Sequence, residues 1–543
     1  MLPYTSESFT DEERELLRRY VTNLDGPVFA LVNLPEVVKG ALFARYSRSS
    51  KSLRRLFLDE FVGDLETSGD AGVDATVGLG RAEQLYERVF GDYGDDSVAQ
   101  LGGVHLACEQ ASNLLTKVLE RSRLMSYLEQ STRYIPYDAR LSSGHYRYYR
   151  DPDILESPLG ARYVGDMDRM FDTYAELLPA VEDHLVQRHP EARSGVSPIA
   201  YRRSVRARAL DTLRSLLPAG SLSNVGVYGS GQAYEQLLLR MAVHPLPEVR
   251  AYGELVEAEL MKVIPSFLSR LHRPERGGAW RAYLAGRQEE TAAAVAALLE
   301  EEDADAAPPA PGAATASVRL TDFDPAGEEK VLVAACFASS GRSEDALARR
   351  VARLGQAERA ALLAAYVGDR RNRRHRPGRA LERTGYRFEI VSDYGAFRDL
   401  QRHRMLTVEW QPLGTSLGWT LPELVTEARL AVPYAASLER SAALHAALLE
   451  RFPEQAPYAV ALGFQVRYSL QLSAREAMHV CELRSSPQGH PAYRAMAQEM
   501  HRQIRDVAGH RALAEAMRFV DHRPADLGRL EAEARLAPAA AER

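Results

Sequence analysis

The spacing of hydrophobic and polar positions predicts helices interspersed with short strands along the chain. Apolar residues recur three and four positions apart over 111–130, which predicts a long amphipathic helix. An apolar run at 331–336 resembles a short strand, and alternation over 387–392 predicts another strand. The glycine-rich stretch 226–231 predicts a flexible break. Further helical segments are predicted over 210–217, 233–241, 358–366, 396–408 and 474–483.

Two parts of the chain share one order of predicted elements. In each part a strand is followed by a helix with paired arginines, a loop, and later helices that carry a further arginine. This similarity indicates an internal duplication. Between the parts, residues 301–317 are acidic and then rich in alanine, proline and glycine, which predicts a solvated linker. We therefore expect one domain over 1–300 and a second over 318–543, each large enough for its own core.

Composition adds several exclusions. The 543 residues carry 68 Lys and Arg against 74 Asp and Glu, a net charge of -6 that argues against general nucleic-acid binding. Three scattered cysteines, Cys108, Cys336 and Cys481, cannot form a disulfide framework or a four-ligand zinc site. His479 lies two residues from Cys481 on a predicted helix, where the side chains point apart, so we expect no metal site.

Hydropathy gives an expectation about the compartment. No apolar run approaches about 18 residues, the length that a membrane-spanning helix needs. The N-terminal stretch MLPYTSESFTDEERELL has no apolar signal core. We expect a cytoplasmic protein with no membrane segment and no nucleic-acid partner.

Two stretches combine paired arginines with polar residues. In the first, Arg121 and Arg123 precede Ser131 and Arg133, and residues 402–411 repeat the arginine pair. Each pair is expected to end a helix and lead into a polar loop, where two guanidinium groups can hold a phosphate or the polar edge of a flavin. Ser131 and Arg133 lie two apart on what we expect to be an extended loop, so they would point to the same side and form a phosphate clamp.

The arginines also permit simpler interpretations. Only five of the 68 basic residues are lysines, a bias that codon usage in a GC-rich genome explains. Arg121 and Arg123 could form the exposed face of a helix, with Glu120 and Glu129 as partners. The run at 369–379 holds six arginines, which favours a solvated loop over nucleic-acid binding, with a contact to a flavin pyrophosphate as a further alternative.

Unequal spacing predicts an insertion in the first part. Arg121 and its match Arg402 are 281 residues apart, whereas Arg240 and its match Arg484 are 244 apart, a difference of 37 residues. We place the insertion around residues 138–200. Its tyrosine-rich segment HYRYYRDPD is compatible with a surface excursion.

The first arginine stretch resembles the signature of the flavin-dependent thymidylate synthases, the ThyX family, which is R-H-R-x-x-S-x-x-x-x-S-x-R-Y. Residues 121–134 carry six of its seven specified residues, and Ser122 replaces the histidine. The second stretch retains Arg402, His403 and Arg404 and then departs from the signature.

Four further segments are similar to the family. Residues 94–98, GDDSV, resemble its G-H-x-S-V turn. Residues 214–218, RSLLP, resemble the helix start that bears a nucleotide-binding arginine, and residues 237–240 resemble the segment with a later active-site arginine. Residues 474–484 resemble the motif N-A-R-S-L-x-N-F-L-x-L-R.

The resemblance implies an α+β fold of two tandem ThyX-like domains, each with a small central sheet flanked by long helices, which form an intramolecular pseudo-dimer. Because the family forms homotetramers with shared active sites, we expect self-association into a homodimer that is a pseudo-tetramer. The resemblance also implies FAD as cofactor, NADPH and methylenetetrahydrofolate as co-substrates, and reductive methylation of dUMP at C5. The flavin would carry the redox chemistry, so no cysteine nucleophile is needed.

The resemblance assigns roles to individual residues. As catalytic residues, Arg240 or Arg484 would stabilise negative charge that develops on the pyrimidine. The substrate-binding residues would be Arg121, Glu129, Ser131, Arg133, Tyr134 and Arg214. The cofactor-binding residues would be Arg402, His403, Arg404, Ser473, Arg475 and His479. The first part would hold the nucleotide phosphate and the second part the flavin, which predicts one nucleotide and one FAD per chain.

Two other functions stay open on the sequence. The chain could methylate a different uracil nucleotide, or it could be a catalytically inactive regulator that binds a nucleotide or a flavin. Ser122 stands in place of the histidine in the first stretch, and the second stretch lacks the Ser/Arg clamp. Both departures favour the regulator.

Overall fold

The computed structural model describes residues 3–34, 36–60, 100, 102–190, 196–299, 310, 312–524, 527, 528 and 530. They form an α+β structure with two four-stranded antiparallel sheets, and the α+β class agrees with the prediction. The strands of the first sheet are β1 (Val28–Leu31), β2 (Gly103–Ser112), β3 (Met125–Glu129) and β4 (Leu222–Ser230). The strands of the second sheet are β5 (Ser317–Phe323), β6 (Gly385–Asp393), β7 (Thr407–Trp410) and β8 (Gln465–Ser473).

Helices flank and connect these strands. Before residue 300 the described helices are Asp11–Leu17, Glu36–Tyr46, Leu53–Glu60, Asn113–Leu119, Pro152–Leu155, Gly160–Arg188, Pro198–Leu213, Gly231–Ala242, Pro247–Leu260, Pro265–Leu268 and Ala279–Leu299. After residue 310 they are Gly327–Phe337, Glu344–Val351, Gln356–Val367, Tyr394–Leu400, Glu423–Glu427, Ala431–Leu449, Ala474–Arg484, Pro491–Asp506 and Arg511–Ala516. No helix in the described part of the chain is long and apolar enough to cross a lipid bilayer.

The chain divides into two compact units that do not follow the order of the sequence. Unit 1 comprises Met1–Ala175, Pro218–Ala307 and Glu439–Val460, and it contains the first sheet. Unit 2 comprises Glu176–Leu217, Pro308–Leu438 and Ala461–Arg543, and it contains the second sheet. Each unit therefore includes a segment from the other side of the expected linker. Within this linker, residues 301–309 and 311 lie outside the described residues.

Both sheets have the same strand order. The order is β1-β2-β4-β3 in unit 1 and β5-β6-β8-β7 in unit 2. In each sheet the strand that comes last in the sequence lies between two neighbours and leads directly into a helix, Gly231–Ala242 after β4 and Ala474–Arg484 after β8. This repeated topology is consistent with a duplicated chain.

Gly226 and Gly229 lie within β4, so the flexible break predicted over 226–231 was wrong. A Cβ atom at Gly226 would lie 2.2 Å from Cδ1 of Phe43, and one at Gly229 would lie 2.6 Å from Cε of Met125. Glycine in this strand therefore permits close approach of neighbouring side chains.

The helix predicted over 111–130 was too long. In the structure the helix Asn113–Leu119 is followed by a turn and then by β3, which pairs with β4. The helix predicted over 396–408 likewise ends at Leu400, and β7 follows. In both places pairing with a neighbouring strand determines the conformation. The spacing of apolar residues within one segment cannot reveal such pairing.

The strand predicted at 331–336 was also wrong, because this segment lies in the helix Gly327–Phe337. Glu328 and Glu329 occupy its first turn, where negative charge stabilises a helix N-terminus. A short apolar run does not by itself distinguish a buried strand from a buried helix.

The tyrosine-rich segment of the expected insertion lies in the core of unit 1 and is not a surface excursion. Tyr146, Tyr148 and Tyr149 are all buried. The Tyr148 hydroxyl donates a hydrogen bond to Asp168 at 2.9 Å, and the Tyr163 hydroxyl donates one to the carbonyl oxygen of Tyr149 at 2.6 Å. These bonds connect the segment to the long helix that follows it.

Candidate functional site

The first arginine pair lies in the turn between the helix Asn113–Leu119 and β3. Arg121 and Arg123 therefore precede a strand, whereas the sequence predicted a polar loop at this point. The Tyr127 hydroxyl donates a hydrogen bond to the carbonyl oxygen of Ser122 at 2.8 Å, which fixes the turn against β3.

Arg240 approaches this turn from the last helical turn of Gly231–Ala242. Burial, followed by repulsion from Arg121, lowers the pKa of Arg240. The Nη2 atom of Arg240 is buried, and no described residue offers it a hydrogen-bond partner. Burial, followed by the charges of Arg250 and Arg121, lowers the pKa of His244 to about 4. Unit 1 thus brings two of the predicted site arginines together in a place where a bound anion would offset their repulsion.

Glu129 is buried and takes part in a charge cluster of unit 1. Its Oε2 lies 3.4 Å from Nζ of Lys117, which is also 2.6 Å from Oε2 of Glu120. Arg121 and Arg123 are exposed, as the helix-face alternative expected, but they lie in the turn after the helix, and Glu120 is only 2% exposed. Lys117 connects the helix that precedes the turn to the end of β3.

Ser131 and Arg133 lie in a tight turn, so the extended loop predicted for them was wrong. The backbone N–H groups of Tyr134 and Ile135 both donate to the carbonyl oxygen of Ser131 at 3.1 Å. The Ser131 hydroxyl accepts a hydrogen bond from the N–H of Arg133 at 3.3 Å. Tyr134 is 39% exposed and lines a cleft of about 720 Å³ in unit 1, where the Arg48 guanidinium lies 6.0 Å from the centre of its ring.

Arg214 belongs to unit 2, whereas the other predicted substrate-binding residues belong to unit 1. It is buried at the start of a 3₁₀ turn, and its Nη2 donates a hydrogen bond to the carbonyl oxygen of Gly395 at 3.1 Å. Its Nη1 lies 3.4 Å from Oδ2 of Asp399. Asp399 was not identified from the sequence. A possible signal was its position three residues before Arg402, since an acidic and a basic residue three apart lie on the same face of a helix.

Asp399 also contacts Arg484, the second predicted catalytic arginine. Nη1 of Arg484 lies 3.6 Å from Oδ1 of Asp399. Nε of Arg484 donates a hydrogen bond to Nε2 of His403 at 2.9 Å, and Nδ1 of His403 lies 3.2 Å from Oε1 of Glu476. Because a guanidinium only donates, neutral His403 carries its proton on Nδ1 and donates it to Glu476.

Burial controls the protonation of this cluster. The pKa of His403 lies well below its ordinary value, through burial and then the charge of Arg484. The pKa of Glu476 is raised, with burial as the largest cause. Burial also lowers the pKa of His479, which neighbouring Arg376 lowers further. The two imidazoles are therefore neutral near pH 7.

The ligand atoms of His403, Glu476 and His479 lie within 4.8 Å of one another, a grouping that could hold a metal ion. The hydrogen bonds argue against this role. Nε2 of His403 already accepts from Arg484, so a metal on Nδ1 would require a fully deprotonated ring. The charge of Arg376 also acts on this cluster and opposes a bound cation.

A cavity of about 240 Å³ in unit 2 adjoins this cluster. Ser473 and Arg475 line it at the N-terminus of the helix Ala474–Arg484, together with Arg373 and Arg376. Nε of Arg475 donates to the carbonyl oxygen of Pro377 at 3.0 Å, and its Nη1 lies 3.0 Å from Glu382.

The arginine run 369–379 is only partly the solvated loop that we predicted. Arg370 is 3% exposed, and its Nη2 lies 2.6 Å from Oε2 of Glu482 in a buried ion pair. This pair anchors the run to the helix Ala474–Arg484 and holds Arg373 and Arg376 beside the cavity.

The remaining predicted residues differ in exposure. Arg402 is half-buried and Arg404 is exposed, both in the turn before β7. His479 is half-buried and lines the cavity. The predicted GDDSV turn at 94–98 lies outside the described residues.

Comparison with known proteins identifies relatives that match along almost the whole chain. A UPF0159 protein of Chlamydia muridarum (strain MoPn / Nigg) is 39% identical over 536 residues, which cover 97% of this chain and 98% of the relative. A UPF0159 protein of Thermoplasma acidophilum is 32% identical over 529 residues, which cover 92% of this chain and 98% of the relative.

Similarity to solved structures is much weaker. A UMP/dUMP methylase, PolB from Streptomyces cacaoi, bound with 5-Br dUMP, is 16% identical and covers 38% of this chain and 95% of its own. The TM-score of 0.32 is too low to support a conclusion about function.

A family model settles the family assignment. The model described as thymidylate synthase complementing protein matches residues 41–266 and 319–509, one segment on each side of the expected linker. Both arginine stretches lie within these segments. The chain therefore belongs to the thymidylate synthase complementing protein family, the ThyX family that its signature indicated.

Proposed function

We propose that the protein catalyses flavin-dependent reductive methylation of dUMP at C5, with FAD as cofactor and with NADPH and methylenetetrahydrofolate as co-substrates. Family membership supports the class of reaction. The observation that carries the cofactor assignment is the cavity of unit 2. Arg373 and Arg376 line it, and neither guanidinium has an ion pair or a hydrogen bond with any described residue.

The residues around this cavity fit the diphosphate of FAD. Guanidinium forks bind phosphate oxygens bidentately, so Arg373 and Arg376 can each hold one phosphate. Ser473 caps the helix Ala474–Arg484, whose N-terminal N–H groups favour an anion. A volume of about 240 Å³ suits the diphosphate and its neighbouring groups. When bound, FAD would supply the redox chemistry that completes the methyl group.

We assign the nucleotide to unit 1. Arg240 has no ion pair with a described residue, and it lies in the field of Arg121. A nucleotide anion would offset this repulsion, and Arg240 would stabilise negative charge that develops on the pyrimidine. We further propose that residues 1–300 and 318–543 act as a pseudo-dimer with one nucleotide and one FAD, and that two chains associate.

A second candidate is a binding protein without methylase activity. Arg484 favours it, because its guanidinium pairs with Asp399 and is not directed to a ligand. Ser122, which stands where the family signature has histidine, also favours a binding protein. A third possibility is methylation of another uracil nucleotide, since the arginines of unit 1 recognise charge and do not distinguish one pyrimidine from another.

Flavin uptake followed by genetic rescue tests the proposal. The purified protein should show a flavin absorption band or acquire one with added FAD, and its gene should rescue a thymidine-requiring strain. Arg240→Ala should retain FAD and lose rescue. FAD uptake without rescue would favour the binding protein or a different uracil substrate, and a protein that takes up no FAD would refute both enzymatic functions.

A further inference from the structure

Arg240 and Arg484 lie in similar but not equivalent places in the two units: Arg240 is the tenth residue after the helix N-cap Ser230, and Arg484 is the eleventh after the N-cap Ser473. Each lies in the last turn of the helix that follows the last strand of its sheet. Their ion-pair partners differ. Arg240 has no ion pair with a described residue, whereas Arg484 pairs with Asp399.

Asp399 binds two guanidinium groups at once. Its Oδ2 lies 3.4 Å from Nη1 of Arg214, and its Oδ1 lies 3.6 Å from Nη1 of Arg484. All three side chains are largely buried, with exposed fractions of 17%, 4% and 15%. A carboxylate that bridges two buried arginines stands where an anionic ligand of those arginines would lie.

We propose that Asp399 is a built-in anion that closes the nucleotide site of unit 2, so that each chain binds a pyrimidine nucleotide only in unit 1. The inference deepens the proposed function, on which it rests for the identity of the ligand. A nucleotide phosphate entering unit 2 would have to displace a covalently tethered carboxylate and would also be repelled by it. In unit 1 no described carboxylate competes for Arg240.

The two arginines that contact Asp399 also have other partners. Arg214 also donates to the carbonyl oxygen of Gly395. Asp393 accepts a hydrogen bond from the N–H of Ala396 at 2.8 Å and lies in the field of Arg214. Arg484 keeps its hydrogen bond to His403. Asp399→Asn keeps the size and shape of the side chain and removes its charge.

The test is a calorimetric titration of the full-length protein with dUMP, without co-substrates, to count sites per chain. We expect one site in the wild type, two in Asp399→Asn, none in Arg240→Ala and one in the double variant. Asp345→Asn, which removes an exposed acid elsewhere in unit 2, should leave one site. A purely structural role for Asp399 would not add a site.

Two results would overturn the inference: two sites in the wild type, or no gained site in a folded Asp399→Asn protein. If Asp399→Asn does not fold, as judged by circular dichroism, the smaller neutral variant Asp399→Ala is titrated in its place, and a folded Asp399→Ala protein without a gained dUMP site contradicts a closed unit 2. The titration is independent of turnover. If the titration shows the gained site but a separate assay with FAD, NADPH and methylenetetrahydrofolate shows no methylation of dUMP, the inference stands and the proposed function is refuted.

Discussion

The hydroxyl of Tyr458 donates a hydrogen bond of 2.7 Å to the buried carboxyl group of Glu248. The same carboxyl group lies 3.0 Å from the N–H and 2.6 Å from the hydroxyl of Ser112. The ring of Tyr149 packs on Tyr458 with centroids 5.0 Å apart. Tyr458 belongs to the late segment Glu439–Val460, so these contacts hold that segment within unit 1.

Glu248 should make the stability of the protein depend on pH. Burial raises its pKa from 4.5 to about 7, so the folded state holds this proton more tightly than the unfolded state. Its stabilising contribution is complete below about pH 4.5 and is lost as pH rises to about 7. Relative to Glu248→Gln, the free energy of unfolding of the wild type should fall by up to about 3 kcal/mol across this window in urea titrations.

The matched control for Glu248 is Glu254→Gln, an exposed acid on the same helix. This variant should keep the pH dependence of the wild type. Parallel stability curves for the wild type and Glu248→Gln between pH 4.5 and 7 would show that the buried carboxyl group does not titrate there.

The ion pair between Arg370 and Glu482 should be important for stability. Both side chains are at most 3% exposed, and removing one member leaves a buried charge uncompensated. Arg370→Ala should lower the free energy of unfolding by about 3–5 kcal/mol, measured by denaturant titration. Arg371→Ala, an exposed neighbour, should cost less than about 0.5 kcal/mol. Equal losses for the two variants would contradict the buried pair.

Arg484 should keep His403 neutral. In Arg484→Ala the ring loses a positive neighbour and the donor to Nε2, so the pKa of His403 should rise toward its ordinary value. The measurement is the titration of histidine resonances by NMR, with the exposed Arg349→Ala as control. An unchanged titration of His403 in Arg484→Ala would mean that burial alone sets its pKa.

Arg376 should contribute to FAD binding. Loss of a hydrogen-bonded charge to a phosphate costs about 1.5–3 kcal/mol, so Arg376→Ala should bind FAD roughly 10- to 100-fold more weakly by fluorescence titration. Arg374→Ala, an exposed residue of the same run that does not line the cavity, should bind FAD like the wild type. If both variants bind equally well, the diphosphate lies elsewhere.

Local sequence patterns predicted several helices but few strands, and they predicted little of the connections between distant segments. The helices that carry Arg240 and Arg484 follow from periodicity. Of the described strands only β6 was predicted, and β3 and β7 were assigned wholly or partly to helices, because their conformation depends on pairing with distant strands.

Local sequence patterns also could not predict all the residues that form the candidate site. The signature identified Arg121 and Arg402 as members of one family motif. The spacing of residues in the sequence could not show that Arg214 belongs to unit 2, because unit 2 combines segments that are far apart in the chain. Asp399, which pairs with Arg214 there, lies outside every residue that the family motif specifies.

The most direct test of the proposed reaction is to measure dTMP formed from dUMP by the purified, FAD-loaded protein with methylenetetrahydrofolate and NADPH. We expect dTMP that requires all three additions and is lost in Arg240→Ala. The absence of dTMP from a folded protein that binds both FAD and dUMP would contradict the account.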